Sequence, residues 1–500
     1  MRKIYILLVI LSFVFCGTIF AAEGDVLWTR TYNGAANEWD LGYDIAVDGS
    51  GNVYVTGYEE VIDEFFNIWV RKYDSDGSEV WTRTYNGTAD GWDEGYGIAV
   101  DGRGNVYVTG SEYVDGQGSN IWVRKYNSEG DEVWTDIYNG TANQYDCGEG
   151  IAVDGSGNVY VTGSEYVDGQ DSNIWVRKYD TDGDVIWTRT YNGTASDYDR
   201  GYGIAVDGSG NVYVAGYESV TGEQRNIWVR KYDSDGNEVW TRSYNGTADG
   251  DDRGNGIAID GAGNVYVTGY EFVTGEWENI WVGKYDSDGE EVWTRTHDGP
   301  ANDEDEGYDI AVDGSGNVYV TGYEYYDAIE ELNIWVRKYN SGGDEVWTKT
   351  YNGIANDDDE GYGIAVDKSG NVYVTGAESV TGEGFNIWVR KYEGAYGEHF
   401  DPPVESEVKI QGGEKGYVNP RKGEKAKIHF QPDESGTVNV KIFTLRGLIV
   451  WEKSKSVSGV QDFIEWNCRN KENGVVASGI YIVYVEGPGI KATKKVAILK

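Results

Sequence analysis

The sequence predicts an all-β chain, a seven-bladed β-propeller followed by a small β-sandwich, and three observations carry that expectation. Tryptophans recur at 28, 81, 134, 187, 240, 293 and 347, at spacings of 53 residues with one of 54. Each repeat holds four short runs of β-branched and aromatic residues, punctuated by Gly, Asn, Asp and Ser. No stretch repeats its apolar residues at the helical interval, and only six prolines interrupt the 500 residues. Four strands in a unit of about 50 residues make a propeller blade.

Residues 1–22 read as an export signal. Arg2 and Lys3 supply its positive end, residues 4–15 the apolar stretch, and Ala21-Ala22 the small residues needed for cleavage. The apolar run is too short, and too soon followed by Glu23 and Asp25, for a membrane-spanning helix. Cys16 follows Phe15 rather than a small residue, which argues against lipid attachment. The mature chain is therefore expected to be secreted or held at the cell surface. Cys147 and Cys468 fall in different domains, so no disulfide framework is expected.

The propeller region spans residues 23–393. In each unit GIAVD and NVYVTG are joined by a DGSG-type turn, and NIWVRKY and EVWTRTY by an SDG-type turn. A second tryptophan series runs through the IWV motifs at 69, 122, 175, 228, 281, 335 and 388. The region opens on an outermost-type strand, residues 25–32, and ends after a third strand, residues 387–392. Joining these remainders completes the seventh blade, so the ring is expected to be closed by the N-terminal strand, with no open sheet edge. The GIAVDGSGNVYVTG core followed by NIWVRKYDSDGNEVWT resembles the bacterial seven-bladed β-propeller repeat family over residues 25–393. That resemblance implies an extracytoplasmic protein and leaves its activity open.

Residues 394–407 read as a linker stiffened by Pro402-Pro403. Residues 408–500 alternate like the strands of a sandwich. Asn419-Pro420, the Leu445-Arg446-Gly447 turn, Trp466, Asn470, Gly474 and the run Ala477-Ser478-Gly479-Ile480-Tyr481 resemble the Ig-like domain of flagellar hook-capping proteins. They equally resemble C-terminal sorting domains of type IX secretion cargo. Cys468 departs from the hook-capping pattern, which has Gly there. The sorting resemblance implies passage across an outer membrane; a spacer or adhesion sandwich is the alternative.

Charge is unevenly distributed. Residues 404–500 carry 16 Lys+Arg against 11 Asp+Glu, while residues 4–403 carry a net charge of −50 within a total of −43. Such a propeller repels nucleic acid and anionic membrane surfaces. Its expected partners are protein or glycan, and the chain is expected to act as a monomer.

Positions that recur in every unit are explained by building the blade, so function is sought where the units differ. Asp40, Asp93, Asp146, Asp199, Asp252, Asp305 and Asp359 precede the innermost strand and read as a channel-mouth ring, each binding backbone N–H groups of its own loop. The following residue varies as Leu41, Glu94, Cys147, Arg200, Arg253, Glu306 and Glu360. The DSDG turns resemble the start of a calcium loop but lack its later ligands, so a hairpin turn is expected and structural calcium stays open elsewhere on the acidic surface. No cofactor motif appears. Loop variation gathers on one face, where Trp39, Trp92, Phe65, Phe66, Trp277, Tyr325 and Tyr326 are the candidate binding residues. His297, His399 and His429 are the three histidines, and no Ser-His-Asp set, zinc motif or nucleophile elbow appears. The sequence therefore reads as a non-enzymatic binding scaffold. A calcium-stabilised structural or adhesive protein, or a carboxylate-based carbohydrate-active enzyme, are the alternatives.

Overall fold

The computed structural model describes residues 23–248, 250–326 and 331–394, and most of 409–498 apart from short stretches between strands. The signal segment, the linker from 395, His399 and the Leu445-Arg446-Gly447 turn lie outside the described residues. The chain divides into two compact units, Met1–Gly394 and Ala395–Lys500.

The first unit contains seven antiparallel sheets of four long strands each. The third sheet is representative, with strands Cys147–Val153, Val159–Val167, Asp171–Tyr179 and Val185–Tyr191 in spatial order. The first strands of successive sheets touch one another in a closed cycle, the seventh returning to the first. They are therefore the innermost strands. The sheet holding Asp359–Val366, Val372–Val380 and Gly384–Tyr392 takes its outermost strand, Val26–Tyr32, from the other end of the chain. Thr31 pairs with Trp388 in that ladder, and Glu393 N–H donates to the Asp25 carbonyl at 2.7 Å.

The repeated residues have definite tasks. In each DGSG turn the aspartate closes the hairpin: Asp154 Oδ1 accepts from the N–H groups of Ser156 and Asn158, at 2.8 and 2.9 Å. Its Oδ2 accepts from Asn158 Nδ2 at 2.7 Å and Tyr160 hydroxyl at 3.0 Å. The D-x-x-x-N-x-Y spacing is thus one hydrogen-bonded unit. The SDG turns work alike, with Asp74 Oδ1 accepting from Asp76 and Ser78 N–H.

Neighbouring blades are joined by aromatic and cationic side chains. Trp122, fully buried, lies 5.3 Å from the Tyr85 ring of the preceding blade, and Arg124 stands 4.2 Å over that tyrosine. Arg83 on the outer strand donates to the Gly130 carbonyl of the next blade's turn at 2.7 Å.

The second unit has a three-stranded sheet (Lys409–Gln411, Ala426–Phe430, Asp462–Trp466) and a four-stranded sheet (Ile449–Ser458, Ser435–Thr444, Gly479–Gly487, Ile490–Ile498). Ile428, Phe430 and Trp466 from one share a buried core with Val440, Ile442 and Val483 from the other. Asn419 heads the single turn of 3-10 helix at Pro420–Lys422 by accepting from Arg421 N–H. Cys468 is buried at φ 58°, the left-handed region that glycine enters freely, which is why glycine suits this position.

Replacing Asp154 by alanine strands several hydrogen-bond donors at once. We expect D154A to lower the stability of the propeller by about 2–3 kcal/mol, read by denaturant unfolding.

Candidate functional site

Every innermost strand carries the same irregularity. In the third blade Gly148 pairs with Gly163 and Gly150 with Thr162, leaving Glu149 as an extra residue outside the ladder. Such a bulge re-aims a side chain, and here it turns one residue per blade to the axis. These are Tyr43, Tyr96, Tyr202, Tyr308 and Tyr362, with Glu149 and Asn255 in the other two blades. All seven line a cavity of about 500 Å³, a size typical of small-ligand sites. Tyr145, 39 % exposed, stands in the loop entering the third blade and also lines the cavity, so the cavity opens on the loop face.

The two walls differ. Tyr96, Tyr43, Tyr362 and Tyr308, from four successive blades, form an arc with ring centroids 5.0, 5.2 and 5.0 Å apart. The opposite wall carries Glu149, Arg200, Arg253 and Asn255. Arg200 lies 3.5 Å from Glu149. Asn255 Nδ2 donates to Glu306 at 2.9 Å and to the Gly307 carbonyl at 3.0 Å. Arg253 stands over Tyr217 and Tyr270, and its nearest carboxylate, Asp251, is 4.0 Å away and already held by Arg225 at 3.0 Å.

Asp44 and Asp309 occupy a position that is glycine in the other five blades. Each links two blades: Asp44 accepts from Ile98 N–H at 2.7 Å and Asp309 from Ile364 N–H at 2.9 Å. Burial pushes both carboxyls up, and the proximity of Asp309 pushes Asp44 further. Burial also raises Glu149, against the nearby Arg200, and raises Glu360 to about 7.

The seven loop aspartates do not line this cavity. Each is buried, and each gives both carboxylate oxygens to backbone N–H groups of its own blade. Asp146, for example, accepts from Gly140 and from Tyr166 at 2.8 Å. Its own N–H donates to the Ser119 carbonyl of the preceding blade at 2.8 Å. Asp40 and Asp359 bind Gly34 and Glu60, and Gly353 and Ser379, in the same way.

The candidate aromatics separate into groups. Phe65 and Phe66 pair in parallel with Gly91 and Trp92 of the next blade, an extra ladder found in this sheet. Trp92, 62 % exposed, stacks on Phe66 at 6.2 Å, Phe66 on Tyr58 at 4.2 Å, and Tyr58 lies 5.7 Å from Tyr43 of the cavity wall. Trp39, half exposed, meets Phe385 edge-on at 5.7 Å, and Phe385 packs into the same cluster as Tyr58 and Phe66. Trp277 contacts Phe272 of its own blade. Tyr325 is half-buried and Tyr326 exposed in the sixth blade. Among the described residues no ring contact joins these last three to the Trp92 cluster. The cavity residues Tyr43, Asp44, Glu149, Asn255 and Asp309 were not singled out from the sequence. Their signal was present, as departures from the GYG consensus of the innermost strand.

Seven segments match the model of the beta-propeller repeat family: residues 31–58, 81–111, 134–164, 186–217, 239–270, 299–323 and 347–377. The chain is a beta-propeller repeat protein. No curated protein matches it. Among solved structures it is similar to PorZ, a surface component of the type-IX secretion system of Porphyromonas gingivalis, with 14% identity and a TM-score of 0.41. That match covers 96% of this chain and 60% of PorZ, so this chain spans less than two thirds of PorZ. It is also similar to Drosophila Plexin A in complex with Semaphorin 1b (10% identity, 75% and 88% covered, TM-score 0.40). The β-propeller domain of the Trilobed protease from Pyrococcus furiosus is a third (10% identity, 71% and 95% covered, TM-score 0.40).

Burial raises all seven loop aspartates, Asp40, Asp93, Asp146, Asp199 and Asp252 to about 6 and Asp305 and Asp359 to about 7, against the hydrogen bonds that lower them. Such groups favour folding fully below their unfolded pKa of ~3.9 and progressively less as pH rises through the folded values. Burial also opposes ionisation of the hairpin aspartates Asp48, Asp101, Asp154, Asp207 and Asp260. Their hydrogen bonds outweigh it and hold them below the usual value. Their contribution is lost as pH falls through the folded pKa. We expect the melting temperature to be highest near about pH 4, to fall as the pH rises from there to about 7 and to level off above it, measured by calorimetry from about pH 3 to 8.

Proposed function

We propose that the protein is an exported, non-enzymatic binding scaffold that engages a glycan through the loop face of its propeller. The observation that carries this reading is the unbroken track of rings from exposed Trp92 through Phe66 and Tyr58 to Tyr43. Aromatic faces take the C–H faces of sugar rings, and a staggered series of them suits a chain of sugars better than a single small molecule. The acidic surface weighs against a polyanionic partner. His297 supports a non-catalytic role for that side chain, since it stacks on buried Trp335 at 5.2 Å and lies 3.0 Å from Glu324.

The two ends of the chain have their own roles in this proposal. Residues 1–22 direct export, and the Ig-like C-terminal unit sorts or anchors the protein after export. Pairing of Val26–Tyr32 with the last repeat strands closes the ring.

On an array of neutral and acidic oligosaccharides, W92A and F66A should each weaken a detected affinity about tenfold or more, equivalent to ~1.4 kcal/mol. Full retention by both variants, or binding to proteins alone, would overturn the glycan assignment. Two truncations examine the ends. Removing residues 23–32 from the mature chain should lower its melting temperature, and ending the chain at residue 403 should block its appearance outside the cell. Normal secretion of the shortened form rejects the sorting role.

A further inference from the structure

The channel cavity contains an imbalance that the scaffold does not explain. Arg200 and Arg253 stand side by side on successive blades at the cavity wall. Among the described residues neither guanidinium donates a hydrogen bond, and the Nε of each is buried without a partner. A half-buried guanidinium whose Nε is buried without an acceptor is costly even where, as in Arg200, a carboxylate lies 3.5 Å away, and every other blade manages without one at this position: Leu41, Glu94, Cys147, Glu306 and Glu360 stand there instead. These arginines are thus not needed to build a blade. Arg253 is the less satisfied of the two, with only Asp251 at 4.0 Å.

We propose that the cavity is a binding site for a small carboxylate-bearing sugar, a uronic acid, with its carboxylate on Arg253 and Arg200 and its ring against the tyrosine arc. A planar carboxylate matches the two-pronged guanidinium fork. The four tyrosines opposite offer the ring a wall spanning four blades. Glu149 and Asn255, at bulge positions beside the arginines, offer hydroxyl partners. Tyr145, 5.6 Å from Arg200 and exposed, marks the way in from the loop face. The site shares Tyr43 with the inner end of the Trp92 track, but Arg200 and Arg253 stand on other blades, so arginine and Trp92 variants tell the two apart.

The test is titration calorimetry of the whole mature protein with sodium glucuronate, with glucose as the neutral partner of the same ring and sodium sulfate as a bare anion. We expect glucuronate to bind one to one, at least tenfold more tightly than glucose, and more weakly as salt is added. R253Q should lose at least tenfold, and R253K, which keeps the charge without the fork, should also weaken binding. I354A, at an exposed loop residue away from both ring track and arginines, should bind glucuronate like the parent. Melting temperatures of the variants establish that they fold; should R253Q unfold, R253K and R200K decide the matter. The proposal is overturned by equal binding of glucose and glucuronate, by no binding of glucuronate, or by folded arginine variants with unchanged affinity. It is equally overturned if sulfate binds as tightly as glucuronate, which would make this a site for inorganic anions only.

Discussion

Everything in the propeller depends on how closely the innermost strands approach their neighbours. A Cβ on Gly148 would stand 2.3 Å from Thr109 Oγ1 of the preceding blade, and one on Gly163 only 1.9 Å from the Cys147 carbonyl oxygen. No side chain fits either position, so glycine recurs there in every blade. That approach lets the tryptophans at the IWV positions lie fully buried between sheets. It also leaves little room for side chains along the axis. The bulge after the first glycine resolves this by setting one residue per blade outside the ladder, and those residues determine what the channel contains.

A sevenfold scaffold is chemically uniform, so asymmetry arises only where single repeats depart from the rest. Replacing tyrosine by Glu149 and Asn255, and placing Arg200 and Arg253 on adjacent strands, makes one half of the channel polar and charged. The remaining four blades supply the tyrosine arc. Asp44 and Asp309 appear where other blades have glycine, and each bridges to the next blade's backbone. The loop face follows the same logic. Phe65 and Phe66 form a ladder with Gly91 and Trp92 that, among the described residues, the other propeller sheets lack, and this ladder seats Trp92 on the inward-leading ring track.

The blade was legible because its signals are local. The D-x-x-x-N-x-Y hairpins and the alternation of NVYVTG each lie within a few residues, and the tryptophan interval repeats them. The channel was not, because the bulge breaks the two-residue period from which facing is read. Simple alternation sends Leu41, Tyr43 and Ile45 to one face, whereas the bulge sets Tyr43 apart from the ladder and leaves Ile45 buried between blades. The loop aspartates lie before that bulge, where they tie loop to strand instead of ringing the cavity. The grouping of loop aromatics was equally hidden. Trp92 reaches Phe66 across a blade boundary 26 positions away, while Trp277 finds Phe272 within its own hairpin.

Electrostatics at two ranges then sets what can enter. The propeller's net charge acts across its surface, but at physiological ionic strength such fields fade over ~8 Å. A long polyanion must lie along that surface and meets the repulsion over its whole length. A small anion passing Tyr145 crosses it once and arrives beside two guanidinium groups whose Nε atoms are buried without acceptors. The same acidic exterior that excludes extended polyanions therefore leaves the cationic wall effective for a compact one. Selection by size follows from the placement of charge, and it needs no moving part.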